Sequence, residues 1–291
     1  MTAAGLAYRQ VDVFADAPLA GNGLAVFITE RPLRAQLMQA LTRELRQFES
    51  IFLSPSREPN TFSARVFTME EELPFAGHPA IGAAGVLHEK FGGPDYACNL
   101  QLPAGAIAMA SRRVAPRYQV SMNQGPVSFG AEVDDRESAT WLNALGLQPQ
   151  HRDPRLPLCV ASTGLPYLVI PVTGEGLAVA RVAVADLERR LATVGAKFTY
   201  VFDVAAREGR TWDNAGAVED IATGSAAGPV AGLLVRQGLA APGERILLRQ
   251  GRFVGRPSEM SVNVEDDGAI TLSGSVTTVA RSTFDATVRH F

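Results

Sequence analysis

The chain has 291 residues, of which 46% are hydrophobic and 20% charged, with a formal net charge of −3 at pH 7. These values are typical of globular proteins and disfavour a surface for nucleic acid or anionic membranes. No apolar run is long enough to cross a bilayer, and the first residues lack a signal-peptide core. We therefore expect a cytoplasmic protein without nucleic-acid or membrane partners.

Strands and helices are predicted to alternate through the first half of the chain. The strands are expected at 8–14, 24–28, 51–53, 61–68, 100–110 and 118–122. An amphipathic helix is predicted over 33–45, and a second helix of small residues begins near His78. His78 would be the N-cap of that helix and Pro79 its first residue, where proline costs no hydrogen bond.

The second half is predicted to repeat this order. Helices are expected at 136–145 and 184–194, and strands at 158–162, 168–172, 198–204, 245–250, 259–265 and 269–273, with a last strand after Gly274.

The stretch 218–235 combines two carboxylates, a Thr-Gly-Ser corner and an apolar small-residue run. This order predicts a polar loop that leads into a buried helix beginning at Ser225. The first N–H groups of a helix lack internal partners and lie at the positive end of its dipole. We therefore expect a substrate carboxylate to bind there.

The stretch 75–87 matches this segment at an offset of 224 − 77 = 147 residues. At that offset Gly77, Gly85 and Glu72 fall on Gly224, Gly232 and Glu219. The flanking helices and strands follow in the same order. The sequence thus predicts two copies of one α/β unit, the first at 1–115 completed by 278–291 and the second at 116–277.

Glu49 lies among Phe48, Ile51 and Phe52, at the start of a predicted strand. Apolar surroundings disfavour the charged carboxylate and can raise its pKa into the range useful for general acid–base catalysis. The alternative is a solvated glutamate at a strand end.

No metal or nucleotide site is predicted. The two cysteines, Cys98 and Cys159, and the four histidines lie in no metal-ligand spacing, and no glycine-rich phosphate loop is present. Two cysteines are also too few for a disulfide framework, so buried free thiols are expected.

Six motifs carry a resemblance over nearly the whole chain. They are Tyr8-Arg-Gln-Val-Asp-Val-Phe14, Gly21-Asn22, Phe48-Glu49-Ser50, Pro74-Phe-Ala-Gly-His-Pro79, Glu219-Asp-Ile-Ala-Thr-Gly-Ser225 and Arg249-Gln-Gly-Arg-Phe-Val-Gly-Arg-Pro-Ser258. In this order they resemble the PhzF family of phenazine-biosynthesis isomerases. The resemblance implies a diaminopimelate-epimerase-like α/β (α+β) fold of two pseudo-symmetric units. Each unit is a curved, mostly antiparallel sheet around a central helix, and the active site lies in the cleft between the units.

The resemblance also implies roles for particular residues. Glu49 would be the general acid–base group, and His78, Asp220 and Ser225 would complete the polar site. No cofactor is expected, and homodimers are usual in the family. Ile221 and Met69 depart from the family, which often has proline at both positions.

A two-cysteine racemase of the same fold is disfavoured. In such enzymes cysteines occupy one position in each half, and here Ala76 and Thr223 stand near those positions.

The leading hypothesis is a cofactor-independent isomerase that moves a proton within a small carboxylate substrate. Glu49 would transfer the proton, assisted by the catalytic residues His78 and Asp220. The substrate carboxylate would be bound by residues at the two helix N-termini, namely Gly77, Gly224, Ser225 and Thr223.

Two alternatives remain open. The first is a racemase or epimerase that uses Glu49 and Asp220 as two bases on one stereocentre. The second is a non-catalytic protein that binds a small anion or a partner on the same scaffold.

Overall fold

The computed structural model describes residues 5–291, except for the side chains of Asp135 and His290. The chain divides into two compact units, one running to Asn123 and completed by Ser273–Phe291, the other comprising Gln124–Leu272. The sequence-based boundaries after residues 115 and 277 differ from these. The strand that begins at Arg117 stays paired in the first unit as far as Met122, and Val276 pairs with Val13.

The first unit contains most of the early strands and two helices. Its elements are β1 (Leu6–Val13), β2 (Asn22–Ile28), α1 (Ala35–Leu45), β3 (Glu49–Pro55), β4 (Thr61–Thr68), β5 (Glu72–Leu73), α2 (Gly77–Phe91), β6 (Asp95–Leu102), β7 (Gly105–Val114) and β8 (Arg117–Pro126), the last of which runs on into the second unit.

The second unit continues the chain and returns it to the first. Its elements are β9 (Ser128–Glu132), α3 (Asp135–Ala144), β10 (Cys159–Ser162), β11 (Pro166–Val172), α4 (Gly174–Val179), α5 (Leu187–Thr193), β12 (Phe198–Asp203), β13 (Glu208–Arg210), α6 (Gly224–Arg236), β14 (Arg245–Gln250), β15 (Ser258–Val264) and β16 (Ala269–Phe284), which ends in the first unit.

Helix α2 is the central element of the first unit. The strands run in the order β16–β1–β2–β3–β4–β6–β7–β8. The pairs β2–β3 and β4–β6 are parallel, whereas β1–β2, β3–β4 and β6–β7 are antiparallel. Helix α2 contacts β1, β2, β3, β6 and β7, and every residue from Gly77 to His88 is buried.

Small residues let the strands approach α2 closely. A Cβ added at Gly82 would lie 2.4 Å from Leu24 Cδ2, and one added at Gly85 would lie 2.7 Å from the Val276 side chain. The glycine content of α2 therefore reflects close packing, although glycine lowers intrinsic helix propensity.

The second unit repeats this connectivity around α6. Its strands run β9–β10–β11–β12–β13–β14–β15, with β11–β12 and β13–β14 parallel and β10–β11, β12–β13 and β14–β15 antiparallel. Helix α6 contacts β10, β11 and β15, and its residues from Ala226 to Leu234 are buried. The predicted burial of both small-residue helices is confirmed.

An arginine–glutamate pair precedes the central helix in each unit. Arg65 Nε donates to Glu72 Oε1 at 2.6 Å, and Arg210 Nε donates to Glu219 Oε1 at 2.9 Å, with a second parallel bond in both pairs. Each guanidinium also lies over the aromatic ring two residues later, Phe67 or Trp212. The match of Glu72 with Glu219 in the sequence therefore corresponds to a repeated contact.

The predicted break at Gly274 is wrong, because β16 runs unbroken from Ala269 to Phe284. Gly274 instead allows a close approach, since an added Cβ would lie 2.3 Å from the Phe14 ring. Within residues 5–291, none of the helices has the length and apolar character that crossing a membrane requires.

Candidate active site

In the first unit, Glu49, His78 and Asn22 form a buried polar group. Glu49 begins β3, between Leu24 of β2 and Thr68 of β4, and only 6% of it is exposed. His78, the second residue of α2, places its Nδ1 3.4 Å from Glu49 Oε2. Asn22 begins β2, and its Nδ2 lies 3.4 Å from the same ring nitrogen. The sheet thus brings the predicted acid–base residue to the start of the central helix.

The His78 ring is neutral at pH 7. Burial lowers the pKa of His78 to about 3, so its contact with the Glu49 carboxylate is not an ion pair. Nδ1 lies 3.4 Å from both Asn22 Nδ2 and Glu49 Oε2, and the tautomer of the ring decides whether it accepts from the first or donates to the second. Nε2 is buried without a hydrogen-bond partner among the described residues. Nε2 is therefore available to a ligand, as a donor in one tautomer and as an acceptor in the other.

Burial of His78 makes stability depend on pH. The unfolded chain takes up a proton at this residue below its ordinary pKa of 6.5, whereas the folded chain does not until about pH 3. Stability therefore falls as the pH drops from 6.5 towards 3, by about 1.4 kcal/mol per pH unit from this group. Between pH 7 and pH 5, we expect the unfolding free energy of the His78→Gln variant to fall by about 2 kcal/mol less than that of the wild-type protein. Urea titrations of the wild-type protein and the variant at the two pH values measure these losses. Equal losses in the two proteins would contradict a neutral His78 ring.

Helix α2 begins at Gly77, two residues before Pro79, the predicted first helical residue. Its N-cap is Ala76, not His78, and no side chain caps it. Pro79 is therefore the third helical residue, where a missing N–H still costs no helical hydrogen bond. Gly77 and His78 contribute N–H groups without acceptors inside the helix, at the positive end of its dipole.

In the second unit, Thr223 is the N-cap of α6, which begins at Gly224 and not at Ser225. The Thr223 hydroxyl makes no capping bond and donates instead to Asp220 Oδ2 at 2.5 Å. Ser225 Oγ lies 2.7 Å from the Tyr167 hydroxyl. Both central helices therefore start without a side-chain cap, and each starts beside a carboxylate residue.

Gln250, the last residue of β14, connects the parts of the second group. Its amide hydrogen-bonds Thr223, the Asp220 carbonyl and the Tyr200 hydroxyl, and 1% of the residue is exposed. Burial, and secondarily the charge of Asp220, raise the pKa of Tyr200, so this hydroxyl stays protonated.

The predicted residues therefore fall into two groups. Glu49, Gly77 and His78 lie together in the first unit, and Asp220, Thr223, Gly224 and Ser225 lie together in the second. Sequence patterns assign no role to Asn22, Gln250, Tyr167 or Tyr200. Asn22 and Gln250 lie inside the family motifs, which is the signal that could have identified them.

The cysteines belong to neither group. Cys98 and Cys159 are free and buried. Burial raises the pKa of Cys98 to about 12, and it also raises the pKa of Cys159. Neither is a thiolate at neutral pH. Among the described residues, no three His, Cys, Asp or Glu side chains are grouped to hold a metal ion.

Comparison with known proteins identifies the family. The family model described as phenazine biosynthesis-like protein (PhzC-PhzF) matches residues 11–282. The chain belongs to the PhzF family. The residues that match the family model include both groups of polar residues.

The curated relatives of this PhzF-family chain are named as isomerases. A trans-2,3-dihydro-3-hydroxyanthranilate isomerase of Pseudomonas chlororaphis is 31% identical over 287 residues, covering 95% of this chain and 98% of the relative. An uncharacterized isomerase of Pasteurella multocida is 30% identical over 277 residues, covering 94% and 92%. The chain is accordingly an isomerase.

Solved structures agree on the fold. A predicted epimerase from Pseudomonas aeruginosa is 50% identical, with a TM-score of 0.91 and coverage of 96% of this chain and 99% of that one. A probable proline racemase from Agrobacterium radiobacter is 16% identical, with a TM-score of 0.63 and coverage of 95% and 92%, and shows the fold alone. The predicted diaminopimelate-epimerase-like fold class is confirmed.

Proposed function

We propose that this PhzF-family isomerase moves a proton between two carbon atoms of a small carboxylate, without a cofactor, and that Glu49 is the general acid–base group. The observation that carries the proposal is the buried contact between Glu49 and His78 at the uncapped start of α2. A buried carboxylate beside hydrogen-bond donors is suited to take a proton from carbon and return it.

His78 would act in this reaction as a neutral donor. Its Nε2–H would bind an oxygen of the substrate and stabilise the negative charge that develops when the neighbouring C–H bond breaks. Gly77 and His78 would add backbone N–H groups to the substrate carboxylate.

Asp220 would be a further polar group of the reaction. As an acceptor of the Thr223 hydroxyl, it is suited to hold an amino or hydroxyl group of the substrate. Gly224 and Ser225 would contribute donors from the start of α6, and the Thr223 hydroxyl would support Asp220. We also propose that the protein forms a homodimer and is cytoplasmic, because the family resemblance implies the first and the amino-acid sequence predicts the second.

The first substrate to test is trans-2,3-dihydro-3-hydroxyanthranilate, after the Pseudomonas chlororaphis relative. In D2O we expect isomerisation in which a proton or deuteron is delivered to a carbon other than the one that is deprotonated. NMR spectra recorded during the reaction measure this transfer. If that compound is inert, related cyclic amino and hydroxy carboxylates are tested in the same way. A panel in which no compound exchanges or isomerises would refute the proposal.

An epimerase is the second candidate. It is favoured by the 50% identity to a predicted epimerase and by the presence of one carboxylate in each polar group, Glu49 and Asp220. The same deuterium experiment separates the two functions. Inversion and labelling at a single stereocentre would indicate the epimerase, and proton movement to a second carbon would indicate the isomerisation proposed first.

A further inference from the structure

We propose that Asn22 and Glu49 compete for Nδ1 of His78, so that the ring can change tautomer and relay a proton between Glu49 and an oxygen or nitrogen atom of the substrate. In this relay Asn22 is a positioning residue. The catalytic consequence rests on the proposed function, whereas the competition for Nδ1 can be measured without any substrate.

The three side chains meet on the face of the sheet that α2 covers. Leu24 of β2 lies against this helix, because a Cβ added at Gly82 would be 2.4 Å from Leu24 Cδ2. Asn22 precedes Leu24 by two residues on the same strand, and Glu49 of β3 is paired with Leu24, so both side chains share its face. There Asn22 Nδ2 and Glu49 Oε2 each lie 3.4 Å from His78 Nδ1.

These two neighbours of the ring favour opposite tautomers. Asn22 Nδ2 can only donate, so it favours an unprotonated Nδ1 with the ring proton on Nε2. An ionised Glu49 carboxylate can only accept, so it favours the proton on Nδ1 whatever else the carboxylate binds. The ring is neutral because burial lowers the pKa of His78 to about 3. It therefore has a single proton, and its two neighbours pull that proton towards different nitrogens.

Two other histidines show what a fixed tautomer looks like in this chain. His88 Nε2 lies 3.2 Å from the carbonyl oxygen of Gly93, which can only accept, so the proton of His88 is on Nε2. His151 Nδ1 accepts from the backbone N–H of Gln148 at 3.2 Å, which also places the proton on Nε2. In both rings a backbone group fixes the tautomer, whereas Nδ1 of His78 lies between two side chains.

A ring that changes tautomer can carry a proton without becoming charged. The relay begins with the ring proton on Nε2. Glu49 takes a proton from a substrate carbon, and the electron pair of that C–H bond moves towards a substrate oxygen or nitrogen, which receives the Nε2 proton. Glu49 then passes its proton to Nδ1 of His78, which restores the carboxylate and leaves the ring in the other tautomer.

The second half of the reaction reverses these transfers at another carbon. The substrate oxygen or nitrogen returns its proton to Nε2, Nδ1 gives its proton to Glu49, and Glu49 protonates the second carbon. One proton has then moved between two carbons, Glu49 is ionised again, and His78 again has its proton on Nε2. The cycle requires both tautomers of the ring.

Nitrogen-15 NMR of histidine-labelled protein tests the competition without substrate, because a ring nitrogen with a proton and one without it differ widely in chemical shift. The His78→Gln variant assigns the signals. In the wild-type protein we expect two populated tautomers at His78 and only the Nε2–H tautomer at His88 and His151. A His78 ring held in one tautomer, like that of His88, would overturn the inference even if the protein is an isomerase.

Two substitutions should shift the tautomer ratio in opposite directions. Asn22→Leu removes the donor and should move the proton towards Nδ1, by about fivefold in the ratio for a neutral hydrogen bond. Glu49→Met removes the carboxylate and should move the proton towards Nε2, by about tenfold or more for a charged acceptor. The tautomers of His88 and His151 should not change. A ratio at His78 that neither substitution alters would contradict the competition.

The kinetics of Asn22→Leu test the relay. Because the relay begins from the Nε2–H tautomer, kcat should fall by the same factor as the population of that tautomer, about three- to fivefold. Asn99→Leu is the matched control, since Asn99 is exposed on β6 and should alter neither kcat nor the His78 signals.

Two results with Asn22→Leu would overturn the relay. A lower kcat with an unchanged tautomer ratio would show that Asn22 acts through the structure alone. A shifted ratio with a normal kcat would show that the reaction does not use the Nε2–H tautomer. If Asn22→Leu does not fold, the spectra of the wild-type protein and of Glu49→Met decide the matter.

Discussion

Glu49→Gln is expected to lower kcat by about a hundredfold or more, which is the usual contribution of a general acid–base group. Glutamine has nearly the shape of glutamate and can stay at the start of β3, but it cannot take a proton from carbon. Substrate binding should change much less, because the helix N-termini and Asp220 are proposed to hold the polar groups of the substrate. The measurement is kcat together with a dissociation constant for substrate or product, determined by calorimetry.

Glu71→Gln is the matched control for this variant. Glu71 is exposed and lies between the ends of β4 and β5, so the same loss of charge should leave kcat near the wild-type value. Near-normal turnover of Glu49→Gln on a verified substrate would remove Glu49 from the mechanism. The proton transfer would then be assigned to Asp220 and His78.

The sequence predicts the repeated architecture because both central helices are encoded locally. Small apolar residues fill α2 and α6, and a polar turn precedes each of them. The start of α2 differs from the predicted one for a physical reason. All N–H groups of the first helical turn lack intrahelical partners, so Pro79 is tolerated equally at the first or the third position. Local sequence therefore cannot decide between the two.

Other features depend on contacts between distant parts of the chain. Gly274 lies inside a strand because its missing side chain accommodates Phe14, 260 residues earlier, and a lone glycine in sequence equally predicts a turn. Gln250 contacts Thr223 and Tyr200 only after β12 and β14 have been placed around the loop before α6. No local pattern marks such a residue. The apolar neighbours of Glu49 are adjacent in sequence and allow its burial to be anticipated, whereas its acid–base role comes from the family resemblance and stays a proposal.

The second large effect is expected from Arg210→Met, in the unit that carries Asp220. The Arg210 guanidinium pairs with Glu219, donates to the carbonyl oxygens of Leu177 and Ala180, and lies over the Trp212 ring. The Arg210 and Glu219 side chains are each 10% exposed. Removing one partner of a buried ion pair leaves an uncompensated charge and typically costs about 3–5 kcal/mol. Urea unfolding followed by tryptophan fluorescence reports this loss, because Trp141 and Trp212 both lie in the second unit.

The repeat supplies the control for Arg210→Met, since Arg65 makes the corresponding pair with Glu72 in the first unit. These side chains are 32% and 30% exposed, so water screens their interaction, and Arg65→Met should cost about 1 kcal/mol or less. Circular dichroism follows the unfolding of this variant. Adding Glu219→Gln to Arg210→Met removes the unpaired charge and should recover part of the lost stability. If Arg210→Met and Arg65→Met cost the same, burial does not decide the strength of the two pairs. If the double variant recovers nothing, the loss comes from the contacts of Arg210 with the carbonyl groups and the aromatic ring and not from the charge on Glu219.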